Sequence, residues 1–398
     1  MRCCHRLLQK NKHSRPAIHG LICASMLLLL GTCHAALFTP QDDNVIVEKL
    51  VDTPIGNERS EIRSLQQQII QQPNNHQLAS HLAQRYIELS RRYGDPRYLG
   101  YAQAAVKPWW SQDMPPADVL LIRATIQQSQ HAFEASLQDL DKLTRSQPDN
   151  PQLWLTRATI HQVQGQYPLA RQECARLLLL APGLIAQACM AETNSLSGQT
   201  TFTQLEQAYR STQEADSKGW VASILADMAE RLGNEDAANR YHQEAVALNQ
   251  DAFSKAAYAD WLLARQQAEP VMQLLKQEVR NDGLLLRLAL AQNQLKLPQA
   301  KQSILLLQAR IDDAHLRGDI THQREAARFY LELKHDQQTA LQLAQSNWQQ
   351  QKEPADVCIL LQTASAAKDQ PTIVQVHVFL QQTGLKDQRL EQYCQGSS

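Results

Sequence analysis

The side chains with the most chemical capacity are few, and the notable ones come in pairs. Arg123 stands 16 residues before Asp139, and Arg157 stands 16 residues before Glu173. A guanidinium fork and a carboxylate at one fixed spacing suit either a partly buried ion pair or a site that grips a ligand. Stranding one buried charge without its mate is costly, which favours the structural use. Cys174 and Cys189 lie 15 residues apart. In an oxidising compartment they would form a disulfide whose loop contributes about 3 kcal/mol in the chain-entropy account. In a reducing one they would be two small buried thiols. The histidines after residue 35 include no pair at i, i+4, and there is no Cys-x-x-Cys, no glycine-rich phosphate loop and no Gly-x-Ser-x-Gly elbow. A scattered polar surface is the better reading of those histidines than a metal site. Asp312 and Asp313 are adjacent and so do not share a helix face. Neither a catalytic set nor a cofactor is expected.

The elements that must position these groups are set by a repeat. Leu120, Arg123, Ala124, Thr125, Ile126, Asp139, Leu140 and Pro148 return 34 residues later as Trp154, Arg157, Ala158, Thr159, Ile160, Glu173, Cys174 and Pro182. A fixed period in the thirties marks a stack of helical hairpins. In the second copy Pro151 supplies a helical φ at the first position. Leu153, Trp154, Ala158 and Ile160 give an apolar stripe, and Gly165 ends the helix. Tyr167, Ala170, Cys174 and Leu177 mark the inner face of the return helix, which Pro182 stops. Each Arg and its acid therefore fall on the two helices of one hairpin.

Trp154, Ala158, Gly165, Tyr167, Ala170 and Pro182 stand where the tetratricopeptide repeat family places its large, small, turn, aromatic, small and terminating residues, so the chain resembles that family. The resemblance implies an all-α, right-handed helical-hairpin solenoid whose concave face is lined by the first helix of each pair and binds a peptide or protein. The candidate groove residues are then Thr125, Gln128, Thr159, Gln162, Trp220, Asp227, Tyr258, Trp261 and Arg265. The alternative for the two tryptophans is packing between hairpins, the commoner fate of large aromatics. The Lys and Asn set with which some members grip a C-terminal carboxylate is absent.

The phase places the clearest units at 117–150, 151–184 and 219–252, the last with Leu225, Ala226, Gly233, Ala238, Ala245 and Leu248 in register. A degenerate unit fills 185–218, and one shortened around Glu269-Pro270 fills 253–282. Fainter pairs run at 283–318, 320–353 and 354–384. The solenoid spans 74–384 with eight or nine pairs. Residues 59–73 form an N-terminal capping helix ahead of a first pair near 76–107, and 385–398 form a tail. Pro108-Trp109-Trp110 would pack one ring and expose the other. An extended leader at 36–58 holds one weak strand signal, Val45 to Val47.

Residues 1–35 read as an export signal: five basic residues and no acidic one, the apolar run Leu21 to Leu30, and the small-residue site Cys33-His34-Ala35. An uncleaved membrane anchor is the runner-up, but the apolar run is short against the ~20 residues that span a bilayer. The expected location is outside the cytoplasm, periplasmic if the source is bacterial. Lipoprotein attachment at Cys33 is a lesser alternative, because Gly31-Thr32 departs from the usual preceding motif. Losing this segment takes 39 Lys and Arg down to 34 against 40 Asp and Glu. A mildly acidic surface argues against nucleic acid as partner. Cys358 and Cys394 would pair only if the tail folds back. An interaction scaffold is the leading function, ahead of a self-associating structural subunit and, well behind, a hydrolase with a site assembled across repeats.

Overall fold

The computed structural model describes residues 56–212, 215–318 and 321–390. It contains helices joined by tight turns, with no strand among the described residues. The export segment, the Val45 to Val47 strand signal and Cys394 lie outside those residues.

Helix α1 (Gly56–Gln71) precedes a first hairpin of α2 (His76–Tyr93) and α3 (Arg97–Ala105), and one further turn, α4 (Lys107–Trp110), links it to the next. Then come α5 (Ala117–Ser129) with α6 (Phe133–Ser146), α7 (Pro151–Val163) with α8 (Tyr167–Leu180), α9 (Leu184–Leu196) with α10 (Phe202–Ser211), and α11 (Ala215–Arg231) with α12 (Glu235–Asn249). The row continues with α13 (Ala252–Ala264) and α14 (Ala268–Leu274), α15 (Asp282–Gln294) and α16 (Gln299–Leu316), α17 (Gln323–Phe329) and α18 (Gln337–Trp348), and α19 (Pro354–Ala367) and α20 (Gln370–Thr383). Nine hairpins result among the described residues. Helix α17 runs on through a π turn, Tyr330–Lys334, and a short 3-10 turn, Gln388–Leu390, follows α20.

Local chemistry explains the boundaries. Side chains of Asn75, Asn150, Asn234, Asp251, Asn281 and Asp336 each accept a hydrogen bond from a backbone N–H in the first turn of the helix they precede. Ala124, Ala158, Ala226 and Ala289 are fully buried, so neighbouring helices approach closely while Leu120, Leu153 and Ile160 fill the space beside them. Helix α14 is only seven residues long, in keeping with the shortened unit around Glu269-Pro270.

Several boundaries differ from those read in the sequence. Helix α1 begins at Gly56, so residues 56–58 are helical rather than part of an extended leader. Its glutamines 66, 67, 68 and 71, and Gln72 just after it, are all exposed. Trp109 and Trp110 are both half-buried against the core of the first hairpin, because α4 turns the pair over that edge.

The hairpins do more than lean on their neighbours. The Asn281 side-chain amide donates to Gly94 O at 2.9 Å, and α2 packs against α13. Lys352 N donates to Val163 O at 2.6 Å, and Gln351 Nε2 lies 3.3 Å from His131 Nδ1. Tyr167 and Leu196 share one apolar cluster with Trp348, Val357, Val376, Leu385 and Leu390. The last hairpin thus lands on the turns of the second, third and fourth. Two glycines permit the approach. A Cβ on Gly165 (φ +73°) would strike the Phe379 ring, and one on Gly198 (φ +79°) would strike the carbonyl oxygen of Gly384.

Candidate interaction groove

The paired charges on the early hairpins are part of the packing. Arg123 is buried, and its Nε and Nη2 donate to the Asp139 carboxylate at 2.6 and 2.8 Å while Nη1 reaches Gln112 O at 2.9 Å. One guanidinium therefore ties α5 to α6 and holds the end of α4. Arg157 donates from Nε to Glu173 at 2.9 Å within its hairpin and from Nη1 to Asp141 of the hairpin before. Cys174 and Cys189 are joined as a disulfide between α8 and α9, with Cα atoms 5.6 Å apart. Cys358 is a free thiol, and burial pushes its pKa up to about 12.

The side chains expected to line a groove are mostly engaged within the chain. Thr125 is buried and donates back to Leu121 O, as half-buried Thr159 does to Leu155 O. Gln162 donates to Thr193 Oγ1 at 2.6 Å, and Gln128 is half-buried. Asp227 pairs with Arg231 and with Arg389. Tyr258 packs in a triangle of rings with His242 and Trp261, with centroids 5.7 to 6.2 Å apart. Trp261 is only 5% exposed, and the Arg265 guanidinium sits over its ring at 4.1 Å. Trp220 alone of the two tryptophans is open to solvent, at 38%. The first helices are close enough here that threonine and tryptophan fill the seam between them.

The later first helices carry a feature that the sequence pattern did not reveal. A ladder of alternating charge crosses α13, α15, α17 and α19. Asp260 on α13 receives Arg287 of α15 at 2.6 Å and also pairs with Arg328 of α17. Glu325 lies 3.9 Å from Arg287 and 3.5 Å from Arg324. Arg324 extends to Glu353 at 3.2 Å and to Asp356 of α19 at 3.3 Å. Burial pushes Asp260 upward, but the Arg287 and Arg328 guanidiniums outweigh it and hold its pKa at about 2. Most of these groups keep contact with water: the Asp260 side chain is 35% exposed and that of Arg324 28%. Polar, hydrated and mounted on rigid helices, the strip suits hydrogen bonding to a partner chain more than proton transfer.

The ladder was hidden because its members are spaced irregularly, at 260, 287, 324, 325 and 328. Short α14 and 18-residue α16 break the phase between them. A register assigned hairpin by hairpin would have put them on one face. Beyond the ladder, Glu192 of α9 lies near Arg231 and Glu353. Burial raises its pKa to about 7, partly offset by Arg231. No group of three or more His, Cys, Asp or Glu among the described residues is placed to hold a metal, and no described helix is long and apolar enough to cross a membrane.

Nine consecutive hairpins, two of them written on a shared 34-residue pattern, make the described residues an all-α helical-repeat solenoid. No family model matches the chain, and no curated protein matches it. Among solved structures it is similar to the APC/C hetero-tetramer Cut9–Hcn1, at 17% identity and a TM-score of 0.42 over 79% of this chain and 61% of that one. The chain thus spans less than two thirds of that structure's length. It is also similar to a tetratricopeptide repeat protein from Parabacteroides merdae (14%, TM-score 0.35, covering 68% of this chain and 93% of that one). A third is yeast Tom70 (12%, TM-score 0.38, 86% and 84%).

Proposed function

We propose that the chain is an exported, non-catalytic scaffold that holds a peptide or protein partner along the inner faces of its first helices. The observation that carries this is the charge ladder from Asp260 to Asp356, in which Asp260 of α13, Arg324, Glu325 and Arg328 of α17 and Glu353 at the start of α19 stay partly open to water while Arg287 and Asp356 hold them from buried positions. Partly exposed donors and acceptors on rigid elements give a partner backbone fixed points at low entropic cost. The Cys174–Cys189 disulfide supports export, because such bonds persist outside a reducing cytosol.

The test is affinity capture from the source cell envelope with the mature protein and with Asp260→Ala/Arg328→Ala, a change that removes both members of one pair. A partner retained by the first and lost by the second, with unchanged circular dichroism, supports the reading. An identical set of captured proteins refutes it.

A second reading, self-association, draws on Val374 and Val378, which are 57% and 44% exposed on the last helix. Sedimentation velocity across a hundred-fold concentration range decides it: an invariant coefficient removes it.

A further inference from the structure

The residues after α20 are not a tail. Gly384, with φ +73°, turns the chain, and Leu385, Asp387 and Leu390 are buried while Lys386 and Gln388 face outward. Leu385 and Leu390 enter the apolar cluster that holds Tyr167 and Leu196. Between them Arg389 reaches to α11, 3.3 Å from Asp227 and 3.3 Å from Glu230. Asp387 steadies that guanidinium at 2.6 Å.

The surface receiving this segment is a built one. Asp227 and Glu230 lie one helical turn apart at the end of α11. Arg231 also contacts Asp227, and His242 bonds Glu230 at 2.6 Å, so both carboxylates are held in place before Arg389 arrives. The Gly233 turn beside them leaves room for the Gln388 side chain. Two anchored carboxylates next to an apolar cluster call for a guanidinium flanked by leucines. Six residues supply that here with a single 3-10 turn and no helix of their own.

We infer that the end of α11, with Asp227, Glu230 and the apolar floor of Tyr167 and Leu196, is a docking site for an arginine–leucine peptide, occupied at rest by the chain's own residues 385–390. The matching partner carries a leucine, an arginine four residues on, and a leucine directly after it. Such a partner displaces the resident segment and frees it from the turns of the middle hairpins. The inference deepens the scaffold reading and rests on it, adding a specific partner chemistry and a built-in competitor. The resident segment is tethered, so its effective concentration is high and a free peptide must outcompete it.

The test uses the full mature chain and a fluorescein-labelled peptide copying residues 383–390, read by fluorescence anisotropy. In the Arg389→Glu/Leu390→Asp chain the resident segment loses both anchors. The labelled peptide should bind that chain at least about ten-fold tighter than it binds the unaltered one. Adding Asp227→Lys to the released chain should abolish the gain. If the released chain keeps the parent's circular dichroism and melting curve yet binds no tighter, the inference fails. Should the released chain misfold, hydrogen exchange on the unaltered protein decides. Amides of 385–390 that exchange faster than those of α19 support a displaceable segment. Equal protection overturns it, because the segment then opens only with the whole fold. Failure here with a positive result for Asp260→Ala/Arg328→Ala would remove the competitor and leave the scaffold; the reverse would remove the ladder and leave this site.

Discussion

Glu192→Gln offers the sharpest test of the junction between the middle and last hairpins. In the unfolded chain this carboxyl titrates near its ordinary value of 4.5, and in the fold burial raises it to about 7 although Arg231 pulls it down. Below pH 4.5 the group is protonated in both states and contributes nothing. As pH rises towards 7 the unfolded chain loses the proton first, so stability falls by about 1.4 kcal/mol for each pH unit. Above pH 7 both states are ionised, and the loss levels off at about 3 kcal/mol. That figure is an upper one, because Glu192 is only half-buried and water screens part of the effect. Glutamine cannot ionise and escapes the loss. Urea unfolding of parent and variant at pH 5 and pH 8 reads the difference directly. The variant should match the parent within about 1 kcal/mol at pH 5 and exceed it by up to about 3 kcal/mol at pH 8. A gap of the same size at both pH values, or a variant weaker at pH 8, would refute the assignment of a proton-retaining carboxyl.

Arg123→Met strands Asp139, which is 4% exposed, and should cost about 3–5 kcal/mol in thermal unfolding; Arg123→Met/Asp139→Leu should recover most of that. Reducing the Cys174–Cys189 bond should lower stability by about 3 kcal/mol in chemical denaturation, and the Cys174→Ser/Cys189→Ser chain should show no further response to reductant. Trp261→Ala opens a cavity at a side chain 5% exposed and should cost about 3–5 kcal/mol, whereas Trp220→Ala, at 38% exposed, should stay within about 0.5 kcal/mol by the same melt.

What was legible in the sequence follows from distance along the chain. The hairpins of α5 to α8 and their charged pairs were readable because Arg123 and Asp139, or Ala124 and Ala158, sit within one period of each other. Asn150 and Pro151, and Gly233 with Asn234, mark helix ends by purely local chemistry. The charge ladder was not readable, since its rungs depend on a register that shifts where α14 shortens and α16 lengthens. Harder still were contacts such as His131 with Gln351, 220 residues apart, and Asp227 with Arg389, 162 apart. No periodicity encodes these, and the same is true of Asn281 with Gly94, 187 apart. Gly165 did show as a turn former, but its second use, as a landing place for Phe379, and that of Gly198 beneath Gly384, need the three-dimensional neighbour to be seen. For the groove residues, treating Thr125 as outward-facing failed because closely spaced first helices bury that position, while the packing weighed as the commoner fate of the tryptophans holds for Trp261 and not for Trp220.

A row of repeats with two loose ends ordinarily melts inward from its termini, because an outermost unit has a neighbour on one side only. Here the carboxyl-terminal hairpin is bracketed: α18 holds one flank, and the turns near His131, Gly165 and Gly198 hold the other. Stepwise fraying from that side is thereby suppressed, and denaturation of everything from α5 onward should proceed as one concerted event.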